Sequence, residues 1–356
     1  MDSKTSIWLN EALPKFELLG KHVAFIIENI LQQNKIDYLS VSYRTKTKEG
    51  IVEKIERKSY KKLESDMTDI SGVRVILYLD SDIPKVCSLI SDVFKVDVDN
   101  STNNDQRLSS DRIGYRSMHF VCEIGNEREH LREYQYITNL KFEIQVRTML
   151  QHAWAELTHD RNYKLGKNLP MHIQRKINLF SAVLEVADQG FTEIVKMIDD
   201  YTDSFKEQNY EEILDREIDS ISLYEFVQKF DEENGVDFKP VSNWGGSITD
   251  QLLKELDHMG INTLKDLSAI IPDNYKENLE SSSIRPNIYS FVRNILTIKD
   301  YQRLRTAPGL NWRMAESDDF SKIEKLEKFY SHYLSPEQIT HMLSMFTWTP
   351  EDEEVD

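Results

Sequence analysis

The segment FEIQVRT, Phe142–Thr148, alternates apolar and polar residues, and MLQHAWAELTHDRNYK, residues 149–164, follows it directly. A period of two belongs to a half-buried strand, whereas His152, Glu156 and His159, spaced i, i+4, i+7, share one face of a helix. No glycine or proline separates the two patterns. This half of the chain must therefore join a sheet to a helix, which excludes a purely helical or purely β fold. On the strand, Phe142, Ile144 and Val146 form one face and Glu143, Gln145 and Arg147 the other. A carboxylate, an amide and a guanidinium in one row suit a metal–nucleotide site better than a core. The His/Glu helix lacks the i, i+1, i+4 spacing of a zinc HExxH motif, so a transition-metal site built from protein alone is disfavoured. His152 reads as a hydrogen-bonded residue beneath the sheet and Trp154 as core.

The rest of the N-terminal half supplies the layers. Leu9, Leu13, Phe16, Leu19, Val23, Ile26, Ile27 and Ile30 recur at steps of three and four, predicting a helix over residues 6–33. Residues 34–42 read as a strand or connector, 47–63 as a second helix, 73–79 as a strand and 84–94 as a helix. The polar stretch DVDNSTNNDQRLSSDRIG reads as a long loop, and YRSMHFVCEI as a strand. Pro170 breaks the chain before a helix over 173–199. The order predicts an α+β fold, a mixed β-sheet flanked by helices, over residues 1–200. From about Tyr201 an acidic stretch reads as an exposed helical linker. Residues 201–356 then read as a mainly helical domain with no clear strand set.

Composition narrows the function. With 61 acidic against 44 basic residues the formal net charge is -17, which argues against nonspecific duplex binding. Two cysteines, outside any CxxC pair, exclude a disulfide framework and a zinc knuckle. No apolar run approaches the roughly 20 residues that span a bilayer. The N-terminus lacks a signal-peptide pattern, so a reducing cytoplasm is the expected location.

Three further clusters bear on chemistry. Arg44 and Lys46 share a face if their segment is extended, and Lys54 and Arg57 share one on the next helix. Four such cations could grip a triphosphate, although a solvated basic helix paired with Glu53 and Glu56 is the commoner meaning of this pattern. Asp69, just ahead of an apolar strand, could hold Mg²⁺ together with substrate phosphates, or simply form a turn. Tyr115, Ser117 and His119 lie on one side of a strand, where a tyrosine can stack a base or pack under a loop.

In this order RTKTKEGIVEKIER, DISGVRV, GYRSMHF and FEIQVRTMLQHAWAELTHDRNYK resemble the synthetase domain of the RelA/SpoT family, the enzymes that make guanosine tetra- and pentaphosphate. The resemblance spans residues 38–164. It implies transfer of the β,γ-pyrophosphoryl group of ATP to the 3′-hydroxyl of GDP or GTP, with release of AMP. It places Arg44, Lys46, Lys54, Arg57 and Arg74 on ATP, and Asp69 and Glu143 on Mg²⁺, with Glu143 also the candidate base. Tyr115 would stack on the acceptor base; His119, Gln145 and Arg147 would shape its pocket. His152, Glu156, His159 and Lys164 would stand behind this group. The implied fold is a mixed sheet related to nucleotidyltransferases. The synthetase motifs begin almost at once, with no counterpart of the family's hydrolase domain, so a synthetase-only member is expected.

Gly50 stands where many members carry serine, which removes one phosphate contact, and the acceptor loop near residues 99–112 is unusually polar. Some synthetase-only relatives are toxins that modify adenosine nucleotides or the 3′ end of tRNA, and a silent nucleotide sensor is a third reading. Relatives are often homo-oligomers, but no heptad here specifies an interface. In the C-terminal half, HMGINTLKDL resembles a helix-hairpin-helix unit without its usual Gly-x-Gly turn. A protein partner or a regulatory role suits that region better than DNA.

Overall fold

The computed structural model describes residues 3–58, 67–103, 117–165, 169–242, 244–316 and 318–348. The chain forms two compact units, Met1–Lys196 and Met197–Asp356. The first runs α1 (Ser3–Gln33), β1 (Tyr38–Thr45), α2 (Lys48–Lys58), β2 (Ser71–Leu77), α3 (Ile83–Val93), β3 (Lys95–Val96), β4 (Thr102–Asn103), β5 (Met118–Glu123), α4 (Asn126–Glu129), β6 (Phe142–Thr148), α5 (Met149–Leu165) and α6 (Met171–Lys206). Its sheet has the order β1-β2-β6-β5-β3, with β4 also beside β5. Strands β2 and β6 are parallel and the other pairs antiparallel. This is the expected mixed sheet with flanking helices.

The alternation of β2 and β6 decides which face is dry. Val73, Val75, Leu77, Phe142, Ile144 and Val146 are fully buried and join Phe16, Leu19, Val23 and Ile27 of α1 in one core. Each such side chain contributes about 1.5–3 kcal/mol by leaving water. Gly20 lets α1 approach closely, since a Cβ there would lie 2.7 Å from Ser71 Oγ. The opposite face of the sheet carries the polar row.

Four expectations need correcting. Trp154 is half-buried rather than core, because it lies on a stretch of α5 open to solvent, where Ala153, Glu156 and Leu157 are exposed. The polar loop after Val96 is not wholly irregular: Thr102 and Asn103 pair with β5, while residues 104–116 lie outside the described residues. The acidic stretch after Tyr201 is no exposed linker. Phe205, Tyr210 and Ile213 are buried in the core of the second unit, and their acidic neighbours mask that apolar spacing in the sequence. Finally, α6 does carry a heptad: Ile173, Ile177, Phe180, Leu184, Ala187, Phe191, Ile194 and Ile198 follow steps of four and three, and Phe180, Phe191, Ile194 and Ile198 are exposed.

The second unit is helical: α7 (Tyr210–Ile213), α8 (Ser220–Asn234), α9 (Ser247–His258), α10 (Leu264–Ser268), α11 (Tyr275–Ser281), α12 (Ile288–Arg305), α13 (Phe320–Tyr330) and α14 (Pro336–Phe346). A two-stranded parallel pair, β7 (Ala315–Glu316) and β8 (Thr347–Trp348), is the element the sequence hides. Reciprocal capping boxes at Asp219, Thr263, Asn287 and Ser335 set helix starts here. Gly260, at φ 72°, makes the turn between α9 and α10 that its sequence suggests. No helix among the described residues is long and apolar enough to cross a membrane.

Candidate active site

Strand register assembles the polar face. Arg44 lies opposite Gly72, and Gly72 opposite Glu143. In the neighbouring row Arg74 lies opposite Gln145, and Gln145 opposite His119. Residues directly opposite share a face, so five side chains from four strands meet on one surface. Gly72 leaves the middle of the first row bare.

Within this face, Glu143 is held from two sides. Its Oε1 lies 2.7 Å from His119 Nδ1, and its Oε2 accepts a hydrogen bond from Gln145 Nε2 at 3.2 Å. His119 Nε2 in turn lies 2.7 Å from Ser117 Oγ and 3.4 Å from Arg147 Nη2. A proton on Nδ1 satisfies all these contacts: Nδ1–H donates to Glu143, and Nε2 accepts. Burial raises the tendency of Glu143 to hold a proton, as does the nearby charge of Asp69. The hydrogen bonds from His119 and Gln145 outweigh them and hold the carboxyl below the usual range.

Asp69 sits just before β2. One of its oxygens accepts from Lys46 Nζ at 3.0 Å and from Lys54 Nζ of α2. Burial again opposes ionisation, and the two lysines overcome it, so this carboxyl also lies below the usual range. Its other oxygen is buried with no hydrogen-bond partner among the described residues. An orphaned carboxylate oxygen whose charge acts on a second, partly buried carboxylate is what a shared cation would relieve. Among the described residues no cluster of three or more His, Cys, Asp or Glu side chains could hold a metal. The two carboxylates therefore fit a cation that completes its shell with ligand oxygens and water.

The other residues singled out from sequence divide as follows. Arg44 is exposed on the first row. Arg74 makes an ion pair with Glu156 of α5 at 3.0 Å, and His152 lies 4.0 Å from the same carboxylate. Burial, with Arg74 and Arg147 nearby, lowers the His152 pKa. Arg57, His159 and Lys164 belong to helices whose side chains at those positions fall outside the described atoms. Tyr115 lies outside the described residues altogether.

Sequence reasoning passed over the joint between strand and helix. Thr148 and Gln151 form a reciprocal cap: the Gln151 N–H donates to Thr148 Oγ1 at 3.1 Å and the Thr148 N–H to Gln151 Oε1 at 3.0 Å. The signal was present as Thr-x-x-Gln. The Thr148 hydroxyl then donates to Asp188 of α6 at 2.7 Å, and Gln151 donates to Asp80 at 3.3 Å. This buried cluster pins the end of β6, and with it the Glu143 row, to α6. Burial and the charge of Asp80 push the Asp188 pKa up against the pull of Thr148.

A folded pKa above the unfolded value means that the folded chain binds the extra proton. Stability is then lost as pH rises from the unfolded carboxyl range, near 3.9, through the folded pKa. Asp188→Asn keeps an acceptor for Thr148 and removes the charge. Denaturant unfolding should show this variant gaining on the wild type between pH 4 and pH 7. A wild-type-minus-variant difference that stays flat with pH would contradict the assignment.

A family model described as the region found in RelA / SpoT proteins matches residues 43–168, the segment that carries every residue of this site. The chain is 30% identical over 210 residues to the GTP pyrophosphokinase YwaC of Bacillus subtilis, covering 54% of this chain and 92% of that protein. It is also 30% identical over 161 residues to the GTP pyrophosphokinase YjbM of the same organism, covering 43% of this chain and 70% of that one. Among solved structures, small alarmone synthetase 1 from B. subtilis aligns with a TM-score of 0.45 at 23% identity, covering 56% of this chain and 100% of that one. Small alarmone synthetase 2 aligns with a TM-score of 0.44 at 26% identity, covering 53% and 98%. The first unit thus holds a RelA/SpoT-type synthetase domain. The chain belongs to the RelA/SpoT family, among relatives that are GTP pyrophosphokinases.

Proposed function

We propose that this chain transfers the β,γ-pyrophosphoryl group of ATP to the 3′-hydroxyl of GDP or GTP and releases AMP. The observation that carries the reading is Glu143, ionised and aimed by His119, near enough to feel the charge of Asp69, whose second oxygen has no hydrogen-bond partner among the described residues. Lys46 and Lys54, with Arg44, Arg57 and Arg74, are the cations available to the ATP phosphates. Mg²⁺ held by Asp69 and Glu143 would neutralise phosphate charge when bound. Glu143 accepts the proton of the acceptor hydroxyl, and His119 and Gln145 keep its carboxylate in one orientation. Arg147, behind His119, holds that ring. Tyr115 is assigned to the acceptor base on resemblance alone. Pyrophosphoryl transfer depends mostly on alignment and charge neutralisation, and a rigid sheet face suits both.

One assay tests the acceptor. ATP labelled at the β-phosphate is incubated with protein and Mg²⁺, and with GDP, GTP, excess ATP or tRNA in separate reactions. The expected result is AMP together with labelled 3′-pyrophosphorylated guanosine nucleotide. Label appearing only on adenosine nucleotide or tRNA would replace this reading with that of a toxin-type relative. Nucleotide binding with no product from any acceptor would leave a silent sensor.

A further inference from the structure

The second unit contains a cavity of about 690 Å³ lined by described residues between positions 239 and 326. Its rim gathers Lys239, Arg285, Arg313, Lys322 and Lys325, with Arg293 deeper in the wall. In a chain of net charge -17 this is a strong local reversal of sign. Two of the cations are already neutralised: Arg285 by Asp237 at 2.6 Å and Arg293 by Glu255. The other four, Lys239, Arg313, Lys322 and Lys325, make no ion pair with any described residue. Among the described residues Arg313 donates to the carbonyl of Trp312 alone, at 3.2 Å. Among the described residues the single lining carboxylate, Asp319, caps α13 by accepting the Lys322 N–H at 3.0 Å.

We propose that this cavity binds a small polyanion carrying two or more phosphate groups. Three separate segments, around residues 239, 313 and 322–325, aim unpaired positive charge at one concavity. One singly charged ligand would leave most of it uncompensated. Lysine and arginine side chains are the usual partners of phosphate oxygens. The volume lies in the range of small-molecule sites. A nucleic-acid chain would need a basic track, whereas here the cations ring a bowl in an otherwise acidic protein.

Recognition rests on charge rather than on base stacking, because the aromatic faces at the site are occupied. The Arg293 guanidinium covers one face of Trp312 at 4.7 Å, and Phe346 stacks on that ring at 5.0 Å. Tyr289 packs on Trp244 at 5.1 Å. Tripolyphosphate, ATP and GTP should therefore bind alike, and adenosine should not bind.

Hydrogen–deuterium exchange on the full chain separates this site from the synthetase site by peptide. Tripolyphosphate, ATP and GTP should each protect peptides spanning residues 283–294 and 312–326. The double variant Lys322→Glu/Lys325→Glu should raise the ligand concentration needed for that protection by about tenfold or more. Both side chains are exposed, and position 322 is the third residue of α13, where glutamate favours the helix, so the variant should fold. Arg313→Gln provides a second, milder reduction of charge. Protection by adenosine, or by hexaglutamate but not tripolyphosphate, would overturn the proposal. So would protection that the double variant leaves unchanged, or nucleotide protection confined to peptides of residues 40–75 and 117–152.

Discussion

Glu143→Gln should lower AMP release with GDP or GTP by about 10²- to 10⁴-fold, the contribution of a positioned general base, while the protein stays folded. The substitution is nearly isosteric. The new amide oxygen can still accept from His119 Nδ1–H, which lies 2.7 Å from the present carboxylate. Gln145, which now donates to the other oxygen, can meet the new amide NH₂ by turning its own amide over. What is lost is charge. Burial and the Asp69 carboxylate both oppose that charge in the folded state. His119 and Gln145 more than offset them, so losing the charge costs some stability; their hydrogen bonds survive the substitution, and the protein should stay folded with a modestly lower melting temperature. Single-turnover measurement with saturating nucleotides reads the chemical step separately from binding. Activity retained within a few-fold would sink Glu143 as the base, and loss of activity with a collapsed melt would leave the substitution uninformative about chemistry. Ser117→Ala is a useful companion, because it removes only the contact to the far nitrogen of His119 and should act weakly.

Much of the first unit was legible because its signals are local. Alternation in Phe142–Thr148 fixes which side chains face the core, and α1 repeats apolar residues at helical steps. The polar row of Glu143, Gln145 and Arg147 followed from the same alternation. What alternation does not give is register. Nothing in the sequence places His119 opposite Gln145 or Gly72 opposite Glu143, since pairing depends on long-range contacts. The cluster of Thr148, Gln151, Asp80 and Asp188 was half visible: the capping pair is a short motif, but the partners on α3's approach and on α6 are not. In the second unit the capping boxes were readable and the core at Phe205 and Tyr210 was not, because acidic residues interrupt it. The basic cavity is drawn from residues 239 to 325 and leaves no contiguous motif.

The second unit has one ion pair whose loss should rival any core truncation. Glu255 of α9 is fully buried. Arg293 of α12 grips it with two hydrogen bonds, Nε to Oε2 at 2.9 Å and Nη2 to Oε1 at 3.0 Å. Trp312 Nε1 adds a third at 2.8 Å. A bidentate guanidinium compensates a carboxylate that burial alone would make costly. Arg293→Met keeps comparable apolar bulk over the Trp312 ring but strands the charge, and should destabilise this unit by about 3–5 kcal/mol. Adding Glu255→Met should recover most of the loss, because replacing both partners of a buried pair is often neutral or stabilising. The recovery should stop short of complete, since the Trp312 N–H then lacks its acceptor, at about 1–3 kcal/mol. Urea-dependent hydrogen exchange in peptides 252–258 and 288–297 reads this unit within the full chain. The expected order of protection is wild type, then the double variant, then Arg293→Met. A double variant no better than the single one would mean that the guanidinium matters for packing on Trp312 rather than for neutralising Glu255, and would return the energy to the cation–π contact at 4.7 Å.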